Sequence, residues 1–371
     1  MLGNAVGDAS RHKNLNCSLL FRQSEGCIYD VVQYMLDKFH SHFPNNELQK
    51  LGYYTLNQER LEKLVGTETV SIYYLDLILT SYCNINCTYC KFPIEKSKIS
   101  FDDVQKIIVK GKQDGLSFVH ITGGEATLHE DLPSIVTQLQ NQNIRKLLTT
   151  NLHKSSDYYT ALFDVGLDEI NISYDGPKGK QERISDCAKV LKVITTAQAK
   201  NVVCRINMTI TENNCQHFLD NILYMADIGA SDIKPVTAVL DSINLDQVKK
   251  VLQPQIEKLL GNQNCEKYPI LTFRLPRLIE KEFRGIHTNM PKCYFLLDDV
   301  CRDSKWYYPC MIHLREKSEK ICHVSEADVQ QKRQDYYNDF VPSKCKICIE
   351  NCPDFMVYFN TLIKEAKSGN F

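Results

Sequence analysis

Between Ser71 and about Leu260 the chain alternates short β-branched or apolar runs with longer stretches whose apolar residues recur at helical spacing. The runs SIYYLDLILT (71–80), FVHIT (118–122), RKLLTT (145–150), DEINISY (168–174), VVCRINMTI (202–210) and SDIKPVT (231–237) predict strands. Helices are predicted between them. In SFDDVQKIIVKGKQDG, Val104, Ile107 and Ile108 fall at i, i+3 and i+4, with Ser100 as N-cap and Gly115 as stop. EDLPSIVTQLQNQ, SSDYYTALFDVG, RISDCAKVLKVITTAQAK and QHFLDNILYMADIG repeat the pattern. Strand–helix units averaging about 32 residues have the size of a right-handed βα crossover. The fold class is therefore α/β, a parallel sheet with helices outside. Six units fall short of the eight that close a full barrel, so the predicted architecture is a partial (β/α)6 TIM-like barrel, open on one side.

Two unlike pieces flank this core. Residues 1–70 are predicted to form a small helical N-terminal extension, with an amphipathic helix at 28–43, a turn at Pro44-Asn45-Asn46 and a second helix near 56–65. Residues 71–285 are the barrel. Residues 286–371 are irregular, rich in cysteine and aromatics, and carry the one tryptophan. Such a stretch without a long apolar pattern is expected to rely on metal in place of much of a core.

Composition narrows the classes of function. A chain that is 43% hydrophobic and 24% charged folds as an ordinary globular protein. Its formal charge of −1 argues against nucleic acid or an anionic membrane as partner, because both select a clustered Lys/Arg excess. The N-terminus has no apolar signal core and no run of 18 apolar residues occurs, so a soluble cytoplasmic protein is expected. Sixteen cysteines do not fit that plain picture. In a compartment where thiols stay reduced, they point to metal ligation or redox catalysis.

Their spacing discriminates. The first predicted strand runs into SYCNINCTYCKF, which gives Cys83-x3-Cys87-x2-Cys90. Three thiolates on a four-iron cluster leave one iron without a protein ligand, and an open metal position is where catalysis occurs. Zinc is the alternative, but a structural zinc wants four ligands, usually as paired C-x2-C knuckles, and no fourth Cys or His lies close by. The loop also follows the C-terminal end of a strand, where barrel active sites form.

With HITGGEATLHEDL directly after the second strand, this loop resembles the radical S-adenosylmethionine (radical SAM) superfamily over roughly residues 71–240. The resemblance implies that Cys83, Cys87 and Cys90 ligate a [4Fe–4S] cluster and that S-adenosyl-L-methionine chelates the fourth iron. It implies reductive cleavage to methionine and a 5′-deoxyadenosyl radical, with an external one-electron reductant of the flavodoxin or ferredoxin type. Gly123 and Gly124 would let the backbone approach the methionyl group, Glu125 would accept from its ammonium, and Tyr89 fills the position that lies against the adenine. Without the cysteine loop, Gly-Gly-Glu reads as a strand-to-helix turn with a capping acid. Asn151 (after Thr150), Ser173 and Asn207 stand at later strand ends, where relatives contact ribose and carboxylate; turn or cap roles are the alternative. Arg205 is a weaker partner for the methionine carboxylate, and His120 reads as a buried structural histidine.

The tail resembles the auxiliary-cluster extensions called SPASM and Twitch. It retains Cys293 and Cys310 at suitable separation and the Cys345-x2-Cys348 pair, but departs in three ways: Lys305 occupies the glycine position, the x5 cysteine is missing, and no cysteine follows Cys352. The resemblance implies one auxiliary [4Fe–4S] cluster on Cys293, Cys310, Cys345 and Cys348, with Cys301 or Cys352 able to replace one; a zinc knuckle is the alternative. Cys352, Cys301 and Cys322 are candidate hydrogen-atom donors to a substrate radical. Cys17, Cys27, Cys187, Cys204, Cys215 and Cys265 read as small buried hydrophobes.

The function these residues imply is a radical SAM oxidoreductase or maturase. It would abstract a substrate C–H hydrogen for a cross-link, dehydrogenation or epimerisation, with a ribosomally made peptide slightly favoured. A small-molecule dehydrogenase or cyclase, acting on an aminocyclitol, a sugar or a cofactor precursor, is the alternative. The cyclase of molybdenum-cofactor synthesis places its third tail cysteine farther downstream and ends in Gly-Gly, neither of which this sequence does. A non-catalytic iron–sulfur or zinc protein is the remaining class, and Glu125 beside three intact cluster cysteines argues against it.

Overall fold

The computed structural model describes residues 68–92, 96–180, 182–183, 186–238, 243–262, 268–279 and 293–341. The expected helices at 28–43 and 56–65, together with Cys17, Cys27, Cys265, Cys345, Cys348 and Cys352, lie outside the described residues.

All six predicted strands form. They are β1 (Tyr74–Thr80), β2 (Phe118–Gly123), β3 (Arg145–Thr150), β4 (Glu169–Ser173), β5 (Val203–Ile210) and β6 (Asp232–Thr237). They pair in parallel in the order β6-β5-β4-β3-β2-β1. The crossovers carry α1 (Phe101–Gln113), α2 (Leu132–Asn141), α3 (Ser156–Asp164), α4 (Cys187–Ala199) and α5 (Phe218–Asp227). The sheet does not close on itself, as an open partial barrel requires.

Local chemistry explains the boundaries. The Ser100 side chain accepts from the Asp103 amide at 3.2 Å, so α1 starts where the capping pattern places it. Gly115 adopts φ +99°, a conformation that breaks the helix. Side chains alternate along each strand. Leu75, Leu77 and Leu79 of β1, and Val119 and Ile121 of β2, join the large core shared with the helices. The opposite residues, Tyr74, Asp76, Ile78 and Thr80, face the inner side of the sheet.

The sheet runs on past the boundary expected at residue 286. β7 (Asp299–Arg302) pairs in parallel with β1, and β8 (Trp306–Tyr308) and β9 (Cys322–His323) continue it as an antiparallel meander. The described part of the cysteine-rich tail is thus built onto β1, the strand that carries the cysteine loop. α9 (Val329–Asp339) fastens it: buried Arg333 donates to the carbonyls of Ser71, Leu296 and Asp299. Here α6 (Leu245–Leu260), α7 (Pro269–Arg274) and α8 (Met311–Arg315) complete the described helices.

Candidate active site

The loop after β1 and the turn after β2 are fitted to one another by backbone contact. Gly124 donates to the carbonyl of Thr80 at 2.8 Å, and Glu125 donates to that of Tyr82 at 2.8 Å. Gly123 sits at φ +143°, and a Cβ there would stand 2.1 Å from the Thr80 carbonyl oxygen. A Cβ on Gly124 would stand 2.3 Å from the Tyr82 carbonyl oxygen. The two glycines are required by the approach of the chain's own cysteine loop.

Glu125 is 2% exposed, and its carboxylate is occupied by the chain. Oε1 accepts from the Thr127 amide (3.2 Å), the Thr127 hydroxyl (2.6 Å) and the Thr150 hydroxyl (2.7 Å). Oε2 accepts from the Asn151 amide at 2.7 Å. Glu125 therefore caps the 3-10 turn Ala126–Leu128 and clamps the end of β3 to it. Each carboxylate oxygen carries two lone pairs, and Oε2 accepts one bond from the described residues, so it keeps one position open.

Cys83 and Cys90 are exposed and Cys87 is half-buried, so the loop presents its thiols outward from the C-terminal end of the sheet. Burial pushes the Cys83 and Cys87 thiols up, and the charge of Cys90 adds to both. Among the described residues no three Cys, His, Asp or Glu side chains converge on a single ion. A four-iron cluster does not ask for that, since each thiolate binds a different iron. The Asn151 side chain lies beside the loop, with Nδ2 donating to Asn84 Oδ1 at 2.9 Å and standing 4.0 Å from the Cys83 sulfur. Its Oδ1 is buried without a hydrogen-bond partner. Outward thiols next to an unpartnered buried acceptor fit a cluster carrying a ligand that offers N–H donors.

Three residues that sequence reasoning missed hold the far side of the loop. Buried Tyr89 donates to Asp175 Oδ2 at 3.1 Å, and the Arg183 guanidinium lies over the Tyr89 ring, 5.3 Å from its centroid. Arg183 pairs with Asp175 at 3.4 Å and donates to the Asn207 carbonyl at 3.0 Å and the Thr209 hydroxyl at 2.7 Å. Glu182 accepts from the Thr88 hydroxyl at 2.6 Å and from the Thr88 amide. Burial raises the Tyr89 phenol far above its ordinary range and also pushes the Asp175 carboxyl up against the pull of Arg183. Burial opposes the Arg183 charge, but Asp175, Tyr89 and the loop thiols outweigh it and hold the guanidinium charged. The available signal was an acid directly after a strand, in SYDGP.

Ser173 and Asn207 are register partners on β4 and β5, half-buried on the inner face. Arg205 is a correction. It pairs with buried Glu169, which Arg145 also contacts at 2.7 Å, near the start of the strands and away from the cysteine loop. His120 is held by Asp76 (2.6 Å) and Thr149 (2.7 Å).

In the tail, burial pushes the Cys301 and Cys310 thiols well up, and a neighbouring thiol adds to each, Cys310 to Cys301 and Cys293 to Cys310. Cys301 lies on the inner face with Ile78, Tyr308 and Leu314, whereas Cys322 lies in the helix-side core. The Lys91–Glu316 ion pair at 2.9 Å ties the cysteine loop to this region.

Residues 77–252 match the family model described as the radical SAM superfamily. Among curated proteins, the chain is 27% identical over 164 residues to a GTP 3′,8-cyclase of Tolumonas auensis, covering 41% of this chain and 49% of that protein. It is 30% identical over 170 residues to a probable GTP 3′,8-cyclase of Sulfolobus acidocaldarius, covering 43% and 54% respectively. The chain thus spans about half the length of these relatives. Among solved structures it resembles anSMEcpe with bound AdoMet (TM-score 0.56, 15% identity, 80% of this chain and 98% of that one). It also resembles Streptococcus suis SuiB bound to precursor peptide SuiA (TM-score 0.54, 14% identity, 81% and 72%). At such identities the likeness is one of fold.

Proposed function

This chain belongs to the radical SAM superfamily, and on that premise we propose that it abstracts a substrate C–H hydrogen for an oxidative modification. The supporting observation is the apposition of the Cys83/Cys87/Cys90 loop to the Gly123-Gly124-Glu125 turn, with unpartnered Asn151 Oδ1 at their junction. A [4Fe–4S] cluster on the three thiolates would supply the electron that cleaves S-adenosylmethionine to methionine and a 5′-deoxyadenosyl radical. The chain's own residues do the placing. Asn151 Oδ1 and the open position on Glu125 Oε2 would accept from the methionyl ammonium. Tyr89, fixed by Asp175 and Arg183, would form the wall for the adenine, and Ser173 and Asn207 would contact the ribose. Cys293, Cys310, Cys345 and Cys348 would hold an auxiliary [4Fe–4S] cluster, which would supply an acceptor for the electron that the substrate radical loses as it becomes the oxidised product. The substrate we favour is a peptide.

A small-molecule reading has one observation of its own, the similarity of the barrel segment to proteins named GTP 3′,8-cyclase. One experiment tests both. The anaerobically reconstituted chain, given dithionite and S-adenosylmethionine, forms 5′-deoxyadenosine, and Cys87→Ala abolishes it; no 5′-deoxyadenosine from the wild type overturns the enzyme reading. GTP that stimulates 5′-deoxyadenosine above the substrate-free rate moves the assignment to the small-molecule class.

A further inference from the structure

The inner face of the sheet carries a hydrogen-bonded chain that none of the cluster or S-adenosylmethionine contacts uses. Asp76 on β1, His120 on β2, Thr149 on β3 and Asn171 on β4 stand on four consecutive strands. Asp76 Oδ1 lies 2.6 Å from His120 Nδ1, and His120 Nε2 lies 2.7 Å from Thr149 Oγ1. Asn171 Nδ2 lies 3.3 Å from the same Thr149 oxygen. Asn171 is 8% exposed, and its Oδ1 is buried with no partner.

The polarity of this chain follows from its fixed end. A carboxylate only accepts, so Asp76 makes Nδ1 of His120 the donor. In the neutral imidazole Nε2 then accepts, which turns the Thr149 hydroxyl toward it. Having given its one proton, Thr149 can only accept from Asn171, so the amide must present Nδ2 to it and direct Oδ1 elsewhere. The orphaned atom is thus an acceptor, and four side chains fix its identity. An unsatisfied buried acceptor is destabilising, and a bound donor removes that cost. Arg205, the register partner of Asn171 on β5, is buried and its Nε also lacks a hydrogen bond, while half-buried Ser173, Asn207 and Lys234 follow on the inner face, so the region is polar.

We infer that Asn171 Oδ1 is a substrate-recognition atom for an amide or amino N–H donor, aimed by Asp76, His120 and Thr149 as positioning residues. The inference deepens the radical SAM reading, which supplies the barrel interior as the substrate compartment. It names the group the substrate must offer there: an N–H, such as a peptide amide, and not a second acceptor.

The test needs neither reduction nor S-adenosylmethionine, so it succeeds or fails separately from the 5′-deoxyadenosine assay. The reconstituted full chain is labelled with [15N]histidine, and the His120 ring is assigned from the signal lost in His120→Gln. The expected wild-type ring is protonated at Nδ1 and unprotonated at Nε2. N-methylacetamide, an amide donor, shifts it saturably, whereas N,N-dimethylacetamide, of similar shape without the N–H, does not. Asn171→Leu loses the saturable shift. Asn171→Asp, which keeps an acceptor but has no N–H to give Thr149, draws the hydroxyl away and moves Nε2 to its protonated position. An Nδ1-unprotonated or doubly protonated wild-type ring, equal responses to the two probes or none, a response that survives in Asn171→Leu, or an unchanged Nε2 in Asn171→Asp overturns the inference.

Discussion

Arg183 and Tyr89 are stacked, guanidinium over ring at 5.3 Å, and both are bound to the one carboxylate of Asp175. A residue of the cysteine loop is thereby fixed to the strand ends of β4 and β5, since Asp175 also accepts from the Thr209 amide at 2.8 Å. Asp175 is 1% exposed, so its charge depends on its partners. Removing one member of a buried pair costs about 3–5 kcal/mol, because the other charge is left without compensation. Arg183→Met is therefore expected to destabilise the chain by about that amount in urea unfolding, and to lower retained iron. Asp175→Asn in the same background should recover part of the loss. If the double variant is no more stable than the single, Asp175 is not the charge that Arg183 offsets.

Gly124 tests the fit between loop and turn. Its Cβ would stand 2.3 Å from a backbone carbonyl oxygen, which cannot rotate away as a side chain end could. Forcing an extra methyl into a packed site costs typically about 1–3 kcal/mol. Gly124→Ala should lose that much stability and bind less iron after reconstitution, measured by denaturant midpoint and iron content. Gly261→Ala, with no neighbour nearer than 3.8 Å, is the control and should stay within about 0.5 kcal/mol.

The strands were legible because one face of each is uniformly apolar, and Leu75, Leu77 and Leu79 show that period directly. The three-cysteine loop and Gly123-Gly124-Glu125 were legible because their chemistry is compressed into contiguous residues. The Asp76–His120–Thr149–Asn171 chain was not, since its members are 29 to 44 residues apart along the chain for the two histidine contacts and meet only through strand register. His120 alone reads as a structural histidine, and in part it is one. Arg205 shows the opposite error: a strand arginine near polar neighbours suggested a ligand contact, but only register with β4 reveals Glu169 as its partner.

Two buried thiols are separated by the sheet. Cys301 is on the inner face and Cys322 on the helix side, and burial raises both, so each is held as S–H. A hydrogen atom can pass only to a radical in the same compartment. During substrate-free turnover in D2O, Cys301→Ala should lower deuterium incorporation into 5′-deoxyadenosine, read by mass spectrometry. Cys322→Ala should leave it unchanged and cost only the core contact. Equal effects of the two variants would remove Cys301 as a donor.

Glu125 separates scaffold from ligand contact. In Glu125→Gln the oxygen can stay with Thr127 and Thr150, but the amide nitrogen then meets the Asn151 N–H donor to donor. That leaves a buried backbone N–H without an acceptor, at a cost of about 1–3 kcal/mol. The variant should therefore lose stability of this size in the chain without iron or S-adenosylmethionine, where no ligand contact exists to be lost. The open position on Oε2 predicts a second, separable effect. After reconstitution, Glu125→Gln should bind S-adenosylmethionine more weakly than the wild type by calorimetry, because the amide nitrogen cannot accept from an ammonium. Unchanged affinity together with reduced stability would confine Glu125 to capping the turn and leave Asn151 Oδ1 as the acceptor at the loop.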